Sequence, residues 1–506
     1  MSFEVVYGTK ALRNLSQIAK AQVKVDSRVE VAHRKVLETS ARCFLGEVMH
    51  EGSEVRLSGR VVTRVVYMDE HDAFNSEERT DNFNEKLILA GAETVVSITP
   101  TAHILETKVV DSNSTNHVEV QNVIDITILG LVSTDMSFVR DLQGDVEVRR
   151  EKVALSTFGM KLESRFEVEE TIDLDKNCEG VLGTDLSAYI RDIIVGDGKV
   201  TVKGAVCVNV MGVRRVEEVS VYNDMMEFDF SKTITNAQIG LNDHVMGSIS
   251  VTNIQVRAES KERPQLVVTA ELNFAGHTVM NEEIEQISDS FSFTNALSFN
   301  QRAVPGAAAL PQHNSVIEVD GNVSMNDKTP FITRVVSVGH SVINSINIVP
   351  VNDKITIEGV MTTALTFECE ERHLHATMIT VPFHATVKID GISATHAIQS
   401  HMVVLSAKVK ARRGKELLVD ARLGLSIASH TVKTQNILSD VILGDVIPRD
   451  DSAILIYTVG AGETLWDVAK RINCRMSEII AGNPEAEHGL KAGDKIFIYR
   501  QQVVNF

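Results

Sequence analysis

The sequence predicts a mainly β protein: three repeated antiparallel β-sandwich or barrel-like domains, followed by a small βααβ module. Three observations carry this prediction. A strand pair with a glycine at a fixed place recurs three times along 506 residues. Val, Ile and Thr are abundant while only nine prolines occur, so strands dominate and helices are few. Near the C-terminus the pattern changes to helical periodicity between two short strands.

The repeats come first, because a period of this kind decides the architecture. The first copy reads EVRLSGRVVTRVVY from Glu54, the second KVTVKGAVCVNV from Lys199 and the third KITIEGVMTTALTF from Lys354. Apolar residues alternate up to a glycine in each: Val55, Leu57 and Gly59; Val200, Val202 and Gly204; Ile355, Ile357 and Gly359. Period two marks a strand with one buried face. A mid-strand glycine predicts a bulge or bend where the strand passes from one sheet edge to the next. KVDSRVEV at Lys24 is answered by KLESRFEV at Lys161, and GHTV at Gly276 by SHTV at Ser429.

Domain boundaries follow at 1–150, 151–295 and 296–450, with the module at 455–500. AVPGAAALPQHNS from Ala303 reads as a Pro-, Gly- and Ala-rich connector, and IPRDDSA from Ile447 as the link to the module. Hairpin turns are expected at Arg413-Gly414 and at GDGK from Gly196, with positive φ at Gly198.

In the C-terminal module, Thr464 stands where an N-cap belongs and Asp467 completes a capping box. Leu465, Val468, Ala469 and Ile472 form one apolar stripe, with Trp466, the single tryptophan, beside it. Met476, Ile479 and Ile480 line a second, shorter helix stopped by Asn483-Pro484. Ile496 and Ile498 alternate in the closing strand.

This stretch, YTVGAGETLWDVAKRINCRMSEIIAGNPEAEHGLKAGDKIFIY from Tyr457 to Tyr499, resembles a LysM domain. The resemblance implies a shallow groove for N-acetylglucosamine-containing glycan, as in peptidoglycan, or for a docked protein. Its walls would be Gly462, Glu463, Thr464 and Leu465 on one side and Ile480, Asn483 and Pro484 on the other. Glu463 stands where the family usually has Asp, and Tyr499-Arg500 where many members end in Pro.

The whole arrangement resembles the repeated SPOCS domains that precede a C-terminal LysM domain in SipL-type spore coat assembly proteins, related to SpoVID. The three V-x-G or I-x-G strand pairs, VVYMDE at Val65 and KTPFITRVVSVGHSV before the third copy carry it. The resemblance implies a non-enzymatic scaffold of the mother-cell cytoplasm, at the forespore surface and spore coat. Its partners would be SpoIVA-like coat morphogenetic proteins, with homo-oligomers open to it. A peptidoglycan-binding cell-wall anchor is the alternative.

Charge and composition narrow the classes. Fifty Lys plus Arg against 68 Asp plus Glu give a net charge of −18, which argues against a phosphate-neutralising surface and hence against nucleic acid. The N-terminus lacks a signal-peptide pattern, and no apolar run of membrane-spanning length occurs. Five scattered cysteines have no ligand spacing and fit reduced thiols. No phosphate-loop, zinc-protease or nucleophile-elbow motif is present, so no enzyme, cofactor or catalytic residue is expected. His373 and His375 on one strand face, with His384 in the next, make a poor metal set. Asp69, Glu70, His71 and Asp72 read as a solvated hairpin loop.

Overall fold

The computed structural model describes residues 3–499 apart from 90–93, 112, 113, 115, 261, 262 and 449–453. The expected link IPRDDSA therefore lies mostly outside the described residues.

Mainly antiparallel sheets account for the body, as the patterning predicts. The first six strands are β1 (Glu4–Glu30), β2 (Lys35–Glu51), β3 (Glu54–Met68), β4 (Phe74–Ile88), β5 (Val95–Asp111) and β6 (His117–Gln143). They form two three-stranded sheets, β1-β6-β5 and β2-β3-β4. The next six repeat the plan: β7 (Val146–Asp173), β8 (Cys178–Gly196), β9 (Lys199–Arg215), β10 (Val219–Thr235), β11 (His244–Ser260) and β12 (Pro264–Ser292). Their sheets are β7-β12-β11 and β8-β9-β10.

The third set is β13 (Asn295–Ala309), β14 (His313–Ser324), β15 (Ile332–Val351), β16 (Lys354–Cys369), β17 (Leu374–Lys388), β18 (His396–Arg413) and β19 (Glu416–Val446). Here β13 and β14 together take the part of the single long strand β1 or β7, both pairing with β19. The break falls at Leu310–Gln312, beside Pro311, which has no N–H for the ladder.

Each set packs its two sheets around its own apolar core. Ile124, Ile126, Val55 and Leu57 lie in the first. Val200, Val202, Leu272 and Phe274 lie in the second, and Ile355, Ile357, Leu423 and Leu425 in the third. The repeated strands of the sequence are β3, β9 and β16, the middle strands of the sheets β2-β3-β4, β8-β9-β10 and β15-β16-β17.

The repeated glycines differ from expectation. Gly59, Gly204 and Gly359 sit in unbroken register opposite Phe83, Phe230 and Phe383. A Cβ at any of the three would collide with the facing phenyl ring. The bulge instead falls in the strand on the other side, at Gly46–Glu47 in β2, Arg191 in β8 and Asn344 in β15. The physical reason is that the ring lies flat over the glycine, covering the backbone that a missing side chain leaves open.

The long strands run past these two-sheet, barrel-like units. The N-terminal parts of β1 and β7, and β13, pair with the C-terminal parts of β6, β12 and β19 as three two-stranded ribbons. These ribbons share cores drawn from all three units. Leu12, Phe138, Leu155, Ile284, Val304 and Ile437 form one layer, and Val139, Ile287, Leu438 and Val441 another. The Ala303 segment expected as a connector is part of this arrangement, in β13. Pro305 is tolerated there because β13 is an edge strand, hydrogen-bonded to β19 alone.

The three units close on one another. Arg64, 2% exposed, donates to Asp185 at 2.8 Å and lies 3.7 Å from Glu38. Glu38 accepts the backbone N–H of His340 at 3.0 Å, so one buried cluster joins all three units. Burial pushes the Glu38 carboxyl up. Burial would also raise Asp185, but Arg64 and His340 outweigh it and hold that carboxyl well below the usual range.

The remaining minor expectations resolve simply. Gly198 and Gly414 occupy hairpin turns at φ +66° and +65°. Asp69 closes the β3–β4 turn by accepting N–H bonds from His71 and Ala73. The three histidines are arranged differently from the reading above. His373 lies in the turn before β17 and pairs with Glu371. His375 stacks on Phe367, and His384 is further along the same strand, not the next. Arg372 makes that turn at φ +59°.

Candidate functional site

The C-terminal module is built from β20 (Ile454–Thr458), α1 (Leu465–Ile472), α2 (Met476–Gly482) and β21 (Lys495–Tyr499), with a short 3-10 turn at Pro484–His488. Its core is Val459, Val468, Ala469, Ile472, Ile479, Ile496 and Ile498. A module this small buries little surface, so its loops must be held by specific hydrogen bonds.

The first wall of the expected groove is tied down by its own side chains. Gly462 takes φ +80°, a conformation that side chains resist. Glu463 accepts from the Tyr457 hydroxyl at 2.9 Å and from the Gly460 N–H at 2.7 Å, and pairs with Arg471 at 2.6 Å. The Gly460 and Tyr457 bonds hold its carboxyl below the ordinary range. Thr464 caps α1: its Oγ1 accepts the Asp467 N–H, and its own N–H reaches Asp467 at 2.9 Å. Leu465 is half-buried at the first turn.

Asn483 holds the second wall. Its amide donates to the carbonyls of Ile479 at 2.9 Å and Phe497 at 2.7 Å, while its Oδ1 accepts the Phe497 N–H at 2.9 Å. That staple joins the end of α2 to β21. Ile480 is half-buried and Pro484 exposed. The first wall is anchored on Tyr457 and the second on Phe497, at adjacent steps of the β20–β21 ladder. Both loops are therefore anchored on the β20–β21 sheet.

Polar groups of Glu463, Thr464 and Asn483 are thus engaged inside the module. What remains for a ligand is apolar surface from Leu465, Ile480 and Pro484, and the exposed backbone of Ala461 and Gly462. Apolar surface edged by backbone donors and acceptors suits the ring faces and amides of a sugar chain.

Reading the sequence alone missed the module's seat on the body. Trp466 Nε1 donates to Asp289 at 2.8 Å, and Lys470 Nζ reaches the other oxygen of the same carboxylate at 2.6 Å. The indole meets Phe291 edge-on, with centroids 5.3 Å apart. Arg475 pairs with Asp145 and lies over the Phe293 ring at 4.7 Å. Asn473, the αL residue ending α1, donates to the Phe293 carbonyl at 3.0 Å. The available signal was Trp466 itself, a large apolar side chain placed off the helix's inward stripe.

A second concavity lies among the three units, with a volume of about 1960 Å³. Its charged lining is largely self-paired, Lys20 with Asp125 and Lys161 with Glu163. Among the described residues no group of three or more His, Cys, Asp or Glu side chains is placed to hold a metal ion. No helix of the described residues is long and apolar enough to cross a membrane.

Comparison with known proteins adds one finding. The LysM domain model matches residues 457–498, the segment whose geometry has just been described. No curated protein and no solved structure matches the chain.

Proposed function

We propose that this chain is a non-enzymatic adaptor whose LysM module binds N-acetylglucosamine-containing glycan while the β-body holds protein partners. The observation that carries the glycan part is the LysM match over residues 457–498, in which the Gly462–Leu465 and Ile480–Pro484 segments consist of half-buried and exposed residues. Several modest contacts on one chain raise overall avidity through effective concentration, which suits a protein that keeps a layer in place.

The finer reading places the chain in spore coat assembly, in the mother-cell cytoplasm at the forespore surface, with SpoIVA-like coat proteins as partners. Support for it comes from the threefold V-x-G or I-x-G strand pair followed by a LysM end.

A paired pulldown tests both levels. Purified peptidoglycan should retain the wild-type chain and lose it when Leu465 and Ile480 are both changed to Asp. A SpoIVA-like coat protein should be recovered from sporulating-cell lysate by the same double variant as well as by wild type. Failure of the first arm removes the glycan reading. Failure of the second removes the coat reading and leaves a glycan-binding anchor.

A further inference from the structure

The three ribbons end in one repeated device. A single-residue bulge at Arg140, Ser288 or Ser439 precedes an aspartate, Asp141, Asp289 or Asp440. Each aspartate turns its Oδ1 back to accept the N–H of the next residue, at 2.9–3.0 Å. The outward bonds differ. Asp141 takes Arg150 and Asp440 takes the Tyr7 hydroxyl, both from neighbouring ribbons of the body. Asp289 takes Trp466 and Lys470, both from α1.

Helix α1 thus has two jobs within eight residues. Its N-cap and first turn, Thr464 and Leu465, form a wall of the cleft. One residue on, Trp466 enters the seat, and Lys470, one turn later on the same face, grips the same carboxylate. A rigid element fixed at one site and lining another links the two sites energetically, and the linkage is reciprocal. Lys470 also lies 5.9 Å from the Phe299 ring on β13, so the seat spans the second and third ribbons.

We propose that docking of α1 on Asp289 organises the glycan cleft: the body acts on LysM affinity through Trp466 and Lys470, and bound glycan in turn tightens the seat. This rests on the glycan reading above. Asp289, Trp466 and Lys470 act here as positioning residues, since none lines the cleft.

Trp466 is the chain's single tryptophan, so its emission reports docking directly. The test uses the full-length protein and a soluble N-acetylglucosamine hexamer, with affinity from calorimetry. Asp289→Ala is expected to red-shift the emission at unchanged far-UV circular dichroism and to weaken binding about five-fold or more. Saturating hexamer should move the variant's emission back toward the wild-type position. Should Asp289→Ala not fold, Lys470→Gln combined with Arg475→Gln, both on the module's surface, carries the same comparison. A red-shifted variant that binds like a binding-competent wild type overturns the coupling while leaving the glycan reading intact. An unshifted emission overturns the seat as the holding contact. A wild type that binds no hexamer removes the glycan reading, and this inference with it.

Discussion

The barrels and the ribbons are made from the same strands yet are stabilised in opposite ways. In each barrel, two sheets close over a core supplied by their own unit, and a Gly–Phe pair is repeated at Gly59–Phe83, Gly204–Phe230 and Gly359–Phe383. In the ribbons no unit supplies a whole core. Leu12 and Phe138, Leu155 and Ile284, Val304 and Ile437 come from three successive units and bury one another. A two-stranded ribbon alone is marginal in water, so each depends on its neighbours. The difference teaches that threefold repetition along the chain need not mean three independent bodies.

The largest expected effect comes from deleting a shared contact. Ile437 is fully buried, and Ile437→Ala should cost about 2–5 kcal/mol through lost burial and the cavity left behind. Ile357→Ala, equally buried in the third barrel, should cost a similar amount. Hydrogen exchange separates them. The ribbon variant should speed exchange in β1, β6, β7 and β12 as well as β19, whereas the barrel variant should act on the third unit. Equal, local patterns from both would remove the distinction.

A methyl group sharpens the barrel side of the comparison. Gly204→Ala drives a Cβ into the Phe230 ring and the Tyr189 carbonyl, which should destabilise by about 1–3 kcal/mol. Phe230→Ala in the same chain should relieve part of that clash, so that the double variant loses less stability than the two single changes summed in a double-mutant cycle of thermal melts. Strict additivity would show that the ring is not what requires the glycine.

Much of this was legible in the sequence, and the exceptions are instructive. The capping box at Thr464 and Asp467, the turn glycines Gly198 and Gly414 and the alternation in β3, β9 and β16 are local features, set by residues within one or two turns. The ribbons were not legible, because a face buried by a distant unit shows the same period-two alternation as one buried by its own sheet. Ala303–Ala309 looked like a connector because composition cannot tell an edge strand that tolerates Pro305 from a loop. The expected cleft residues came from the resemblance to LysM domains, and the Leu465 and Ile480 pulldown tests them. The seat was not, since Asp145, Asp289, Phe291 and Phe293 meet Trp466, Lys470 and Arg475 only after the chain has closed around three barrels.

Acid should act where a neutral histidine is held inside the inter-unit packing. Burial, with a smaller push from Lys161, lowers His277 to about 4 from an ordinary 6.5. The unfolded chain therefore takes up the proton first as the pH falls. The stability linked to His277 is complete above 6.5 and is lost between 6.5 and about 4, by about 1–2 kcal/mol after allowing for partial solvation. Thermal melts across that window should flatten in His277→Gln. An unchanged slope would place the acid sensitivity elsewhere.

The smallest effect tests whether one repeated device is worth the same at each ribbon end. Tyr7 donates to Asp440 at 2.7 Å but is half exposed, so Tyr7→Phe should change stability by no more than about 0.5 kcal/mol. Trp466 emission should stay where it is, because Tyr7 bonds Asp440 and not the Asp289 carboxylate that holds the indole. Asp289 has the same bulge and the same backbone bond, yet it holds an indole that is 7% exposed and an ammonium group besides. A Tyr7→Phe chain that matched Asp289→Ala in emission and melting would mean that the ribbon ends act as one unit. Silence from Tyr7→Phe alone would mean that the Asp440 bond helps close the body while the Asp289 carboxylate is the one that holds α1.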